Sequence, residues 1–195
     1  MLFRSPSPAI NRRSLIALGG LIGLEMAGCG GGGGGGGGGT VSTLAGIVST
    51  LAGTAGTLGS ANGTGTSATF NTPRSLAIDS AGNVYVADFN NHLIRKITSS
   101  GTVSTLAGTA GSAGAANGTG TSATFKFPAG VAVDSSGNVY VADFSNNLIR
   151  KITSSGIVST LAGTAGTTGS ANGTGTSATF NFPLGVAVDS AGNVY

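Results

Sequence analysis

The stretch SLAIDSAGNVYVADFNNHLIRKITSSGTVSTLAG, residues 75–108, decides the fold of this 195-residue chain. It contains four short segments rich in β-branched and apolar residues, separated by turn sequences of Asp, Asn, Ser and Gly. Apolar residues occupy neighbouring positions such as Leu93 and Ile94, so both faces of the predicted sheet carry apolar side chains. A short four-stranded antiparallel sheet that is buried on both faces is typical of a propeller blade, which packs between two others.

The same stretch returns with a period of 55 residues. Residues 47–101 and 102–156 are identical at 42 of 55 positions, and residues 157–195 repeat the first 39 positions of the unit. A period close to 50 residues indicates a solenoid, a propeller or an array of repeats. The sequence therefore predicts an all-β fold, a partial β-propeller, over residues 40–195.

The third unit stops where the earlier units continue. Residues 186–195 match residues 131–140, after which the second unit runs on into VADFSNNLIRKIT. Propellers close with four to eight blades, and six blades at this period need about 330 residues. We therefore expect the chain to be a fragment of a propeller, and we expect unclosed blades to favour self-association.

Residues 70–108 resemble an NHL repeat, and Asn91-His92-Leu93 spells the tripeptide that names it. The second unit has Asn146-Asn147-Leu148 there, so it departs from the pattern at the histidine. The resemblance implies four-stranded antiparallel blades. The insert TAGTLGSANGTGTSATFN, residues 54–71, lengthens the unit, and we expect it to form a loop from the outer strand of one blade to the inner strand of the next.

Residues 1–28 have the features of an export signal. A basic start passes into an apolar run, residues 15–27, that is too short to cross a bilayer as a helix. Arg12 and Arg13, followed by Ser14, Leu15 and Ile16, resemble a twin-arginine signal, although general secretion stays open as the route.

The segment that ends at Cys29 resembles a bacterial lipobox. It reads Met-Ala-Gly-Cys, with methionine where leucine is usual, and the resemblance implies cleavage before Cys29 and a lipid on its thiol. Residues 30–39 are all glycine and would form a flexible tether. Gly30 replaces the aspartate associated with retention in the inner membrane, which favours a lipid anchor in the outer membrane.

The composition argues against several functions. Charged residues make up 8% of the chain, and the single cysteine excludes an intrachain disulfide. From Cys29 onward the chain has six Lys and Arg residues and five Asp residues, so it lacks the positive charge excess of a nucleic-acid-binding protein. We expect no nucleic acid partner, no metal, no cofactor and no catalytic constellation in these residues.

Two residues are weak candidates for binding. Arg74 is the clearest polar difference between units, since Ala129 and Leu184 replace it. His92 could be a metal ligand or a general base, but each role needs partners that the pattern lacks. The simpler interpretation is a loop residue that hydrogen-bonds to backbone, a role that Asn147 can fill equally well.

Other recurring residues have structural interpretations. Asp79, Asp134 and Asp189 open D-S-x-G turns and suit Asx-turns, while Asp88 and Asp143 suit the ends of strands. The Arg-Lys pairs at 95–96 and 150–151 are interpreted as a solvated blade face. The recurring phenylalanines are interpreted as packing between blades.

These features favour a lipid-anchored envelope protein whose blades are a binding or structural scaffold for a protein, peptide or glycan. The alternative is part of a lactonase-like or lyase-type propeller enzyme, with its site residues in other blades. RNA binding, known for NHL propellers elsewhere, is disfavoured by the export signal and the nearly neutral charge.

Overall fold

The computed structural model describes residues 49–195, which form two antiparallel sheets of five strands each. The predicted signal peptide (1–28), with Arg12 and Arg13, lies outside the described residues, as do Cys29 and the glycine tether (30–39). No helix within residues 49–195 is long and apolar enough to cross a membrane.

Each sheet is one blade. The strands of the first blade are β1 (Gly63–Thr64), β2 (Pro73–Ile78), β3 (Val84–Asp88), β4 (Leu93–Ile97) and β5 (Thr102–Ala107), in the spatial order β1-β5-β4-β3-β2. Those of the second blade are β6 (Gly118–Thr119), β7 (Pro128–Val133), β8 (Val139–Asp143), β9 (Leu148–Ile152) and β10 (Ile157–Ala162), in the order β6-β10-β9-β8-β7.

The predicted all-β class and the four main strands of each blade are confirmed. The 55-residue sequence unit is out of phase with the blade, because β5 pairs with β4 yet consists of the first residues of the second unit. A short 3-10 turn joins β3 to β4 at Phe89–Asn91, and another joins β8 to β9 at Phe144–Asn146.

Apolar side chains pack on both faces of the first sheet, as predicted. One face, which includes Val86 and Ile97, packs against Phe70 of the insert. The other face, which includes Ile94, packs against Phe125 and other residues of the second blade. Burial on both faces explains why these strands lack the strict alternation of a sheet with one wet side.

The insert does more than connect blades, which corrects the prediction of a loop. Its strand β1 pairs with the start of β5, with Gly63 opposite Val103 and Thr64 opposite Thr102. β6 pairs with β10 in the same way in the second blade. The insert therefore adds a fifth, outermost strand to the blade that follows it in sequence.

A buried ion pair fixes the insert to its blade. Arg95 Nη1 lies 2.9 Å from Asp88 Oδ2, and both side chains have no exposed surface. The remaining Nη hydrogens of Arg95 are donated to Thr69 O, Ala61 O and Asn62 Oδ1, all of the insert. The interpretation of Arg95 as part of a solvated face is therefore wrong, because its neighbours in the insert exclude water from it.

The carboxylate of Asp88 is also fully engaged with insert and turn. Its Oδ1 accepts a hydrogen bond from the amide of Asn71, and its Oδ2 accepts one from Asn91 Nδ2. Asn91 Nδ2 also donates to Gly59 O at the start of the insert. Burial has the largest effect and leaves the pKa of Asp88 raised, although the hydrogen bonds and the charge of Arg95 act to lower it.

The second blade repeats this arrangement. Arg150 Nη1 lies 3.0 Å from Asp143 Oδ2, again with no exposed surface on either side chain. Arg150 also donates to Thr124 O, Ala116 O and Asn117 Oδ1 of the second insert. The interpretation of Arg150 as solvated is wrong for the same reason.

Residues 157–195 supply the last main strand of the second blade, β10, and then begin another blade. The segment after the third insert forms an isolated antiparallel bridge between Val188 and Val194. Large apolar side chains are exposed on β2 and in this last segment, among them Leu76 (38%), Ile78 (50%), Leu184 (60%) and Tyr195 (75%).

Candidate functional site

The two edges of the blades differ in chemistry. We call the edge that carries the turns Phe89–Asn91 and Phe144–Asn146 the 3-10 rim, and the edge that carries the turns opened by Asp79 and Asp134 the Asp-turn rim. The start of β2 and the end of β3 lie at the 3-10 rim, because these strands pair antiparallel with Pro73 opposite Asp88.

A row of aromatic rings runs along the 3-10 rim from one blade to the next. Phe89 lies 5.0 Å from Phe127 and 6.0 Å from Phe144, and Phe144 lies 5.0 Å from Phe182, measured between ring centroids. These tilted contacts have the separations of favourable aromatic pairs. Phe89 is buried, Phe127 and Phe144 are half-buried, and Phe182 at one end of the row is 48% exposed.

Arg74 lies over Phe89, which is an inner member of this row. Its Cζ is 3.5 Å from the centroid of the Phe89 ring, and the residue is exposed at the second position of β2. A guanidinium over an aromatic face at an exposed site contributes about 0.5–1 kcal/mol. Among residues 49–195 the Arg74 guanidinium makes this contact and donates no hydrogen bond.

His92 lies at the same rim but is buried between blades. Its Nδ1 accepts a hydrogen bond from the amide of Phe127 at 3.1 Å, and its ring meets the Phe127 ring edge-on at 4.5 Å. Asn147 does the same one unit later, since its Oδ1 accepts from the amide of Phe182 at 2.9 Å. The expected bond to backbone and the equivalence of His92 with Asn147 are thus both present.

The backbone explains the choice of residues at these positions. His92 and Asn147 have φ of 60° and 58°, in the left-handed region that Asn and His enter more readily than most residues. Burial lowers the pKa of His92, and the charge of Lys126 lowers it further. His92 is therefore held neutral, as the accepted hydrogen bond requires.

Exposed charge at the 3-10 rim is positive. Arg74 and Lys126 are exposed there, whereas Asp88 and Asp143 are buried against their arginines. The other aspartates of residues 49–195, Asp79, Asp134 and Asp189, all lie in D-S-x-G turns, away from this rim. Comparison of the repeat units with one another singled out Arg74, but it did not indicate that Phe127 and Phe182 lie on the same surface.

The Asp-turn rim is built for stability. Asp79 Oδ1 accepts hydrogen bonds from the amides of Ala81 and Asn83, as an Asx-turn does, and its Oδ2 accepts from Asn83 Nδ2 and the Tyr85 hydroxyl. Burial raises the pKa of Asp79, but these hydrogen bonds outweigh it and leave the pKa lowered. Burial and the hydrogen bond to Asp79 raise the pKa of Tyr85 to about 12.

Within residues 49–195, no three His, Cys, Asp or Glu side chains are grouped so that they could hold a metal ion. The carboxylates described above are each committed to arginine, amide or hydroxyl donors. The 3-10 rim is consequently the surface of the described chain that combines free charge with accessible aromatic rings.

Comparison with known proteins agrees with this architecture. The family model of the NHL repeat matches residues 70–97 and 125–152, the two segments that hold most of the blades. A chloroplastic protein of Arabidopsis thaliana, SUPPRESSOR OF QUENCHING 1, is 37% identical over 89 residues, which are 45% of this chain and 8% of that protein.

Two solved structures from Bacteroides thetaiotaomicron are similar. A structural genomics protein of unknown function has a TM-score of 0.54 and 34% identity, over 58% of this chain and 29% of the other. An auxiliary nutrient binding protein has a TM-score of 0.53 and 23% identity, over 60% of this chain and 32% of the other. This chain therefore spans less than a third of the length of each of these structures.

The neutral state of His92 gives a prediction about pH. Because its folded pKa is lowered from the ordinary value of 6.5, its contribution to stability is complete above about pH 6.5 and is lost as pH falls through the folded value. We expect His92→Asn, which copies Asn147, to lose less unfolding free energy than the unmodified chain between pH 7 and pH 5. Urea unfolding of the full chain at each pH measures this, and equal losses in both proteins would contradict it.

Proposed function

We propose, on the premise that this chain carries NHL repeats folded as β-propeller blades, that the protein is a binding scaffold of the bacterial cell envelope. The observation that supports binding is the 3-10 rim, where exposed cations and aromatic rings lie on a rigid edge. Buried ion pairs hold the inserts and turns behind that edge, so its side chains are presented on ordered backbone. Ordered presentation lowers the entropy cost of binding.

The chemistry of the rim favours an acidic glycan as the ligand. Arg74 and Lys126 can donate charge-assisted hydrogen bonds to carboxylates. The faces of Phe127 and Phe182 are apolar platforms on which the C–H face of a sugar can rest. The rim lacks an exposed carboxylate among residues 49–195, so an anionic ligand meets no repulsion there.

The export features of the leader support an envelope location. In this proposal Cys29 carries the lipid, and the glycine tether spaces the blades from the membrane. A single acyl chain binds membranes only marginally, whereas a cysteine with several chains anchors stably. The scaffold would then hold its ligand close to the cell surface or the periplasmic face of the envelope.

Binding can be tested by replacing rim residues with the residues that occupy the same positions in other repeat units. Arg74→Ala copies Ala129, and Phe127→Thr copies Thr72, which has the same left-handed φ. We expect each change to weaken binding of a purified oligogalacturonate to the full chain by about tenfold, the value of one charged hydrogen bond or one stacked ring. Isothermal titration calorimetry measures the affinity.

Lys96→Ala is the matched control, because it removes the same charge near the Asp-turn rim, where Lys96 lies over Tyr85 at 5.7 Å. Uncharged maltodextrin is the matched control ligand for the acidic oligogalacturonate. Equal weakening by Arg74→Ala and Lys96→Ala would contradict a specific rim site. If the protein cleaves the oligosaccharide, which new unsaturated or reducing ends would reveal, its function is that of the alternative propeller enzyme and not of a binding scaffold.

The anchor is tested separately in a bacterial host. We expect the full chain in the membrane fraction, and its mature N-terminal peptide to carry the mass of acyl and diacylglycerol groups on Cys29. Cys29→Ser removes the thiol that accepts the lipid and should release the protein from membranes or leave its leader uncut. An unmodified Cys29 thiol in the wild-type protein would rule out the lipid anchor.

A further inference from the structure

An Asn-Gly dipeptide recurs at one position of the inserts, at residues 62–63, 117–118 and 172–173, and nowhere else in the chain. Asparagine deamidates most readily when glycine follows it, because no side chain hinders attack by the glycine nitrogen on the asparagine amide. Asn62 and Asn117 are exposed, so water reaches both of them. The contacts of these two asparagines therefore decide how fast the reaction proceeds.

The fold requires both residues of the first dipeptide. Asn62 Oδ1 accepts a hydrogen bond from Arg95 Nη2 at 2.8 Å and a weaker one from Thr105 Oγ1 at 3.4 Å. Gly63 has no room for a side chain, since a Cβ there would lie 2.9 Å from Ser67 Cβ. The insert thus keeps a chemically labile pair of residues because each of them has a structural role.

The second dipeptide has the same surroundings. Asn117 Oδ1 accepts from Arg150 Nη2 at 2.8 Å and from Thr160 Oγ1 at 3.5 Å. A Cβ on Gly118 would lie 3.0 Å from the carbonyl carbon of Ser122. Two inserts therefore present the same reactive pair to the same buried guanidinium.

These contacts oppose the movement that deamidation needs. The Asn62 side chain and the Gly63 peptide unit must rotate toward each other before the nitrogen can reach Cγ. Arg95 restrains the side chain through a charge-assisted hydrogen bond and also donates to Ala61 O at 2.9 Å. On the other side, Gly63 is paired with Val103 in the sheet. The groups that must meet are consequently held in place on both sides of the reacting bond.

We propose that Asn62 and Asn117 are deamidation sites that Arg95 and Arg150 keep closed. The reaction then takes place only from molecules in which the insert has come away from its blade. This inference does not depend on the acidic glycan ligand.

The reaction needs no reagent other than water. The Gly63 nitrogen loses its proton to solvent hydroxide and forms a bond to Asn62 Cγ, while the bond from Cγ to Nδ2 breaks. Nδ2 leaves as ammonia, with its added proton supplied by water, and a cyclic succinimide remains. Water then opens the ring at either carbonyl, which gives aspartate or isoaspartate, so the net change consumes water and releases ammonia.

The products change the insert permanently. Either one places a new carboxylate beside Arg95, close to the buried carboxylate of Asp88. Isoaspartate also adds a methylene to the main chain, so Thr64 cannot stay opposite Thr102 while the new carboxylate meets Arg95. Each modified molecule is thus a lasting record of one opening of the insert.

The first experiment compares the full chain in native buffer and in concentrated urea at the same mildly alkaline pH. Digestion with pepsin at acidic pH and mass spectrometry give the fraction of acid at residues 62 and 117, and an isoaspartate methyltransferase assay identifies the isomer. We expect both sites to react at least about tenfold faster in urea, because reaction from an open state follows the population of that state.

Arg95→Lys tests the role of the arginine. Lysine keeps a positive charge beside Asp88 but lacks the planar fork that reaches Asn62 at the same time. We expect Asn62 to deamidate at least about tenfold faster in this variant, while Asn117 in the same molecules stays slow because Arg150 still holds it. Arg150→Lys should give the reverse pattern, and circular dichroism spectra report whether each variant is folded.

Equal rates at Asn62 and Asn117 in folded Arg95→Lys would overturn the role of the arginine. A native chain that deamidates as fast as the chain in urea would overturn the proposal without any variant, so this comparison decides if Arg95→Lys does not fold. Absence of aspartate and isoaspartate at both sites in urea would rule out deamidation itself.

Discussion

The buried pair of Asp88 and Arg95 is the constraint on which the blade depends. Both side chains are fully buried, and four of the five N–H groups of the guanidinium find acceptors, three of them in the insert. The fifth, on Nε, has no partner within the described residues. Burying a charge pair is costly, and the cost is offset only where hydrogen bonds satisfy it. The insert is therefore obligatory structure, because without it Arg95 would lack three of its four acceptors.

The repeated pair also links the blade to the 3-10 rim. Asp88 ends β3 and holds Asn91, which belongs to the turn that presents Phe89 and leads into His92. Asn71, held by the same carboxylate, precedes Thr72 and the start of β2. Asp88 thus holds the residues beside Phe89, and Asp143 holds Lys126 and Asn146 in the same way in the second blade. The backbone at this rim is therefore joined to the buried core by hydrogen bonds of these carboxylates.

The sequence was sufficient to predict the strands, the repeat and the Asx-turns, because apolar periodicity and turn residues are local signals. It also predicted that His92 and Asn147 are interchangeable, since they align in the repeat. It misplaced Arg95, because an arginine beside a lysine on a strand looks solvated unless its acceptors are known. Those acceptors are two backbone carbonyls and the Asn62 side chain, which lie 26 to 34 residues away in an insert whose composition suggests a loop. The edge strand β1 was missed because two residues, Gly and Thr, carry no strand signal of their own.

Urea unfolding of Arg95→Met, compared with Lys96→Met, tests whether the buried arginine holds insert and blade together. Both changes remove one positive charge from the same strand and keep a similar chain length. Arg95→Met leaves Asp88 buried without its partner, and we predict a loss of roughly 3–5 kcal/mol of unfolding free energy. Lys96→Met should cost less than about 1 kcal/mol, as for a partly exposed charge. Equal and small losses in the two variants would contradict the claim.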